Sequence, residues 1–140
     1  MDRVFSYLKV KLSTMEKVSV PEGYQTVMPY LIVPNAAQFM DFLQKVFQAE
    51  EKFRTARENG SIMHAEMIIG DSTLMLAEAT KEWSAQPAGL YIHVANADDT
   101  YRTALAQGAT SLMEPADQPY GRSGGVKDPF ENTWWVTSAL

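Results

Sequence analysis

A short signature occurs twice in this chain. Val33-Pro34-Asn35-Ala36 is echoed by Val94-Ala95-Asn96-Ala97, and two further landmarks repeat at close to the same separation of about 60 residues. Gln48-Ala49-Glu50 returns as Gly108-Ala109-Thr110, and Leu74-Met75-Leu76 returns as Trp134-Trp135-Val136. Three echoes in register and in the same order predict an internal duplication, so whatever one half folds into the other half folds into as well.

Each half reads as β-α-β-β-β. In the first, residues 26–33 are a β-rich run, and Pro34-Asn35 leads into a helix whose expected N-cap is Asn35, its side-chain oxygen accepting from the first free backbone N–H groups. Phe39, Phe42, Leu43, Val46 and Phe47 recur at i, i+3, i+4, i+7 and i+8, one stripe against a sheet, while Asp41, Gln44 and Lys45 stay wet. Residues 50–57 and 61–69 are two strands joined by Glu58-Asn59-Gly60, where Asn-Gly is a strong hairpin signal, and Gly70-Asp71 turns the chain into a fourth strand at 72–77. After a polar linker at 80–87 the order repeats: a strand at 90–94, Asn96 as cap, and a helix ending at Gly108. Residues 120–135 then carry Gly121, Gly124, Gly125 and Pro129, which cannot continue a helix. They predict strand, tight turn at Asp128-Pro129, and a last strand opening on Trp134-Trp135.

The expected fold class is therefore α+β, with modules of about 26–79 and 88–140 inside a domain that opens at the Pro21-Glu22-Gly23 turn and runs over 21–140. Residues 1–20 form an unassigned N-terminal extension whose weak alternation is compatible with a strand, a frayed arm or non-native sequence. At 140 residues and 46% hydrophobic content the chain suits a compact domain with a true core. A net charge of -5, with 12 scattered Lys and Arg among 17 acids, argues against nucleic acid as a partner. The absence of cysteine rules out thiol catalysis, disulfides and iron-sulfur ligation, and suits a reducing compartment. No stretch approaches a membrane span, and Asp2, Arg3, Lys9 and Lys11 interrupt the first twelve residues, so a soluble cytoplasmic protein is expected.

Paired β-α-β-β-β modules carrying Pro29-Tyr30-Leu31-Ile32-Val33, Met63-His64-Ala65-Glu66, Ile69-Gly70-Asp71-Ser72 and Gly124-Gly125-Val126-Lys127-Asp128-Pro129-Phe130 resemble the vicinal oxygen chelate superfamily of glyoxalases, bleomycin-resistance proteins and extradiol dioxygenases. The similarity is greatest to its small glyoxalase-like, PhnB-like branch, and covers residue 21 to the C-terminus. It implies a curled mixed sheet around a cup, helices on the outer face, and a homodimer that completes open sheet edges. It also marks a departure: relatives usually carry glycine where this chain has Glu131, and a turn requiring positive φ would strain a glutamate there. The reaction does not follow from such a fold.

The resemblance places the family's four metal ligands near Met28, Met75, Gly89 and Trp135. A glycine, two thioethers and an indole do not supply the imidazole, carboxylate or thiolate donors a divalent metal needs, so neither metal nor other cofactor is expected. The cup is expected to bind a small organic ligand instead, lined by Tyr30, Met75, Tyr91, His93 and Trp135, with Arg122 as a clamp or merely a solvated loop charge. Alternation puts Trp134 and Trp135 on opposite faces, one in the core and one in the cup. His64 and Glu66 share a strand face and are the candidate catalytic pair for a lyase or isomerase, against a purely structural role. A third possibility is an interaction module whose cup is filled.

Overall fold

The computed structural model describes residues 17–140, so most of the N-terminal extension lies outside the described residues. The elements are β1 (Tyr30–Val33), α1 (Ala36–Phe47), β2 (Glu50–Ala56), β3 (Ile62–Ile69), β4 (Ser72–Glu78), β5 (Gly89–His93), α2 (Ala97–Ala106), β6 (Thr110–Gln118), β7 (Gly121–Lys127) and β8 (Thr133–Ser138). They form two open four-stranded sheets, ordered β1-β4-β3-β2 and β5-β8-β7-β6. In each, the first strand runs parallel to the last and the remaining pairs are antiparallel. The architecture is α+β, two βαβββ modules with one helix on each sheet.

β1 begins at Tyr30, four residues later than expected. Proline 29 has no N–H to give a ladder. The preceding segment ties itself to β4 through a side chain instead: the Gln25 amide donates to the Thr73 carbonyl (2.8 Å) and accepts from the Thr73 N–H (3.3 Å), while the Thr73 hydroxyl donates to the Gly23 carbonyl (2.7 Å).

The two helices start differently. Asn96 caps α2 as expected, extended at φ -147° with its side chain accepting from Asp99 N–H at 3.0 Å. Asn35 does not cap α1: it sits in the left-handed region at φ 54° and makes no side-chain cap bond. The Glu78 carboxylate takes over, accepting from Asn35 N–H and Ala36 N–H at 2.8 Å each. A carboxylate from the end of β4 is a stronger, charge-assisted acceptor at the positive end of a helix than an amide oxygen, and asparagine tolerates the left-handed backbone this requires. At the equivalent place in the second module, Ser138 Oγ at the end of β8 accepts from Ala97 N–H at 3.0 Å.

The core lies between helices and sheets. Phe39, Met40, Leu43, Val46 and Phe47 of α1 are buried against Leu31, Val33, Ala65, Met67, Leu74 and Leu76. Each large apolar side chain buried in this way contributes about 1.5–3 kcal/mol before chain entropy is counted. Aromatic contacts join the modules: Phe47 meets Trp134 with ring centroids 4.6 Å apart, and Phe130, from the β7–β8 turn, packs edge-on against Phe39 (5.3 Å) and Phe42 (6.3 Å). Asp128 builds that turn, its carboxylate accepting from Phe130 N–H, Asn132 N–H and the Trp134 indole at 2.8–2.9 Å. Glu131 does hold φ at 77°, with its carboxylate 2.7 Å from Lys127 Nζ.

Candidate functional site

Strand alternation divides each sheet into a helix-covered face and an open one. Trp134 is 2% exposed on the covered face, and its neighbour Trp135 lies on the other, 38% exposed. The open face of the first sheet carries the row Tyr30, Met75, Glu66 and Phe53, neighbours across four strands. The second sheet carries the corresponding row Tyr91, Trp135, Gly125 and Met113.

Two register shifts in the β2–β3 ladder frame the polar part of the first row. Glu51 faces Met67 and Phe53 faces Glu66, leaving Lys52 as an extra residue on β2; Thr55 faces His64 and Ala56 faces Ile62, leaving Met63 as an extra residue on β3. Such bulges re-aim side chains. The first brings Lys52 Nζ to 4.0 Å from Glu66 and 3.9 Å from the centroid of the Tyr24 ring. The second returns Ile62 to the core and leaves His64 on the open face.

A continuous hydrogen-bonded chain results. The Tyr30 hydroxyl meets His64 Nδ1 at 2.8 Å, His64 Nε2 meets Glu66 Oε2 at 2.8 Å, and the Tyr24 hydroxyl donates to Glu66 Oε1 at 2.5 Å. Tyr24 and Lys52 cover the carboxylate, which is 3% exposed. Burial pushes the Glu66 carboxyl upward, but the hydrogen bonds from His64 and Tyr24, with the charges of His64 and Lys52, together outweigh it and hold the group below its ordinary value. Burial raises the Tyr30 phenol, opposed by the charge of Arg57 and reinforced by that of Glu66. In the neutral imidazole, with Glu66 ionised, His64 Nε2 donates to the carboxylate and Nδ1 accepts from Tyr30.

The second sheet's row is aromatic and uncharged. Trp135 packs against Gly125: a Cβ built on that glycine would stand 2.3 Å from indole Cζ3 and 2.5 Å from Cε3. The missing side chain is what lets the indole approach the strand this closely while Trp135 stays 38% exposed. Tyr91 is the cross-strand partner of Trp135, 52% exposed, and its ring meets His93 edge-on at 5.3 Å. Tyr91 and His93 also line a cleft of about 660 Å³ between the modules, floored by Phe47, Leu74 and Trp134.

The structure thus brings Tyr30, His64, Glu66 and Met75 together on one sheet and Tyr91, His93 and Trp135 on the other. Arg122 joins neither group. One residue out of step with Ser123 and Gly125, it turns to the helix side, where Nε and Nη2 donate to the Asp98 carboxylate of α2 (2.8 and 3.2 Å) and Nη1 to Asp117 (3.1 Å). Sequence reasoning did not single out Tyr24, Lys52, Phe53 or Arg57. Lys52 depends on a bulge, and Tyr24 reaches Glu66 from outside any strand.

At the four positions to which the resemblance carries the superfamily's metal ligands, the residues do not fit a metal. Met28 sulfur accepts from Gln25 N–H, Gly89 has no side chain, Met75 lies beside Tyr30, and Trp135 covers Gly125. Among the described residues no three His, Cys, Asp or Glu side chains converge. No helix among them is long and apolar enough to cross a membrane.

Comparison with known proteins agrees with this architecture. An uncharacterised protein of Mycobacterium bovis is 31% identical over 118 residues, covering 76% of this chain and 78% of that protein. A PhnB protein from Bacillus cereus superposes with a TM-score of 0.68 at 21% identity, covering 82% of this chain and all of that one. TnmS3, an antibiotic-binding protein from a Streptomyces species, gives a TM-score of 0.67 at 15% identity over 90% of this chain and all of its own. At such identities these two structures speak to the fold alone. Residues 24–136 match the family described as the Glyoxalase/Bleomycin resistance protein/Dioxygenase superfamily, and the chain belongs to that superfamily.

Proposed function

We propose that this protein binds a small, flat organic molecule on its open sheet faces without a metal, sequestering a toxic compound or antibiotic in the cytoplasm. The observation that carries this reading is Trp135 packed on bare Gly125 beside Tyr91, two aromatic side chains that both stay partly exposed. The four metal positions support the metal-free form, and the antibiotic-binding relative of the same fold supports the ligand class. Tyr30, Phe53, Tyr91 and Trp135 are all partly exposed, an apolar display that a second copy of the chain would cover. Fluorescence titration against a panel of planar antibiotics tests the platform: Trp135→Ala should weaken binding by about 1–2 kcal/mol while the fold survives. Unchanged affinity would overturn the assignment, as would one equivalent of tightly bound metal that is lost with His64→Ala. A light-scattering mass of 15.6 kDa at micromolar concentration would remove the dimer.

The Tyr30–His64–Glu66–Tyr24 chain favours a second reading, a lyase or isomerase with His64 or Glu66 as general base. Glu66 orients the imidazole and Tyr30 caps its basic nitrogen, so a substrate proton would pass through the Tyr30 oxygen or displace it. Exchange of solvent deuterium into dihydroxyacetone by wild type, abolished in Glu66→Gln, would decide for the enzyme.

A further inference from the structure

Four arginines lie among the described residues, and three hold carboxylates: Arg54 holds Glu51, Arg102 holds Asp99, and Arg122 holds Asp98 and Asp117. Arg57 is different. Its Nη1 donates to Ser61 Oγ (3.1 Å) and to the Ile62 carbonyl (3.2 Å), and its Nη2 donates to the Glu78 carbonyl (3.4 Å). All three acceptors are neutral. They aim the guanidinium without neutralising it, and they leave two of its five N–H donors unused among the described residues. A half-buried cation held open in this way is a poor structural ion pair and a good receptor for an anion.

Its position is equally specific. The register shift at Met63 sets Ala56 opposite Ile62 and returns Ile62 to the core, so the next residue, Arg57, projects on the open side, one step beyond the Thr55–His64 pair. There it shares a field with the Tyr30 hydroxyl, which feels its charge. Tyr30 and Phe53 flank His64 with centroid distances of 5.5 and 5.7 Å, giving an apolar rim around the polar centre. In the second module the equivalent ladder position is Gln118, opposite Gly121, and no charge stands there.

We infer that the first module's open face recognises an organic anion, a carboxylate or acidic phenolate on an aromatic body, with Arg57 binding the charged oxygen and Tyr30 and Phe53 packing the ring. This rests on the ligand-binding reading and adds the ligand's charge to it.

The test is isothermal calorimetry with a shape-matched pair, 2-naphthoate and 2-naphthamide, at neutral pH. Wild type should bind the carboxylate at least tenfold more tightly, and the gap should narrow at high salt. Arg57→Gln should reduce naphthoate to the affinity of naphthamide, and Arg57→Lys should keep part of the preference because it keeps the charge but not the fork. Equal affinity of wild type for both probes overturns the anion site and leaves the binding reading standing. Binding of neither at millimolar concentration overturns both. Preference undiminished in a folded Arg57→Gln protein also overturns the assignment. Should that variant melt early through a loosened β2–β3 hairpin, the wild-type salt dependence and Arg57→Lys still decide.

Discussion

The two modules share a backbone and divide the chemistry. Tyr30 and Tyr91 occupy the same place, Met75 corresponds to Trp135, and the ladders share one irregularity, the extra residue at Lys52 having its counterpart at Leu112, 60 positions later, while the second bulge falls on β3 in the first module and on β6 in the second. Yet Glu66 corresponds to Gly125 and His64 to Ser123, so the first sheet presents a buried carboxylate, an imidazole and two cations while the second presents an indole over bare backbone. Duplicated scaffolds preserve what the core requires, and the open faces are free to diverge. One face is suited to holding charge, the other to stacking.

The largest expected break in this symmetry is on the covered faces. Trp134→Ala should cost about 3–5 kcal/mol, since it empties the contact with Phe47 and leaves the Asp128 carboxylate without its indole donor. The corresponding Leu74→Ala, with no polar partner to orphan, should cost about 2–3 kcal/mol. Urea melts compare them, and a costlier Leu74 change would mean that the second module is not the more heavily braced.

Acid should act on the modules in opposite senses. The Glu66 carboxyl lies below its ordinary value, so its contribution is complete above the unfolded-state value near 4.3 and is lost as pH falls through the folded one. Asp128 is displaced the other way: burial outweighs its hydrogen bonds and raises it, so its contribution is complete below the unfolded value and is lost as pH rises through the folded one. Urea melts from pH 7 to pH 3 should therefore show Glu66→Gln less stable than wild type at neutrality, with the gap closing in acid. A gap independent of pH would show that the carboxylate's charge does not brace the first module.

The smallest effects concern the turns. Glu131 holds φ 77° where glycine is at ease, and Gly70, at φ 59° in the β3–β4 turn, has open space where a side chain would go. Glu131→Gly should gain, and Gly70→Ala should lose, about 0.5–1 kcal/mol. Thermal melts of the pair would show whether backbone strain alone separates these turns.

Element types and order were legible because apolar period, Asn-Gly and the glycine-rich C-terminal run are local signals. The opposite faces of Trp134 and Trp135 followed from alternation. Arg122, expected as a clamp or a solvated loop charge, pairs with Asp98 on the helix side, where the same alternation, counted from Trp135 through Gly125, sets it. What stayed hidden required partners distant in sequence. Glu78 displaces Asn35 as a cap because the end of β4 arrives at α1, and the bulges at Lys52 and Met63 break the period of two on which face assignment depends. Tyr24 and Arg57 acquire their meaning only from that geometry.

Phe130 belongs to the second module by sequence and to the first by packing, lodged against Phe39 and Phe42 while its turn also anchors Trp134 against Phe47. Cutting the chain in the linker would leave each half exposing the aromatic surface that the other now covers. The unit that melts cooperatively is consequently the pair, and heat should carry both modules through one transition rather than two. The repeated motif is tied, through a single turn, into a fold that neither half should hold alone.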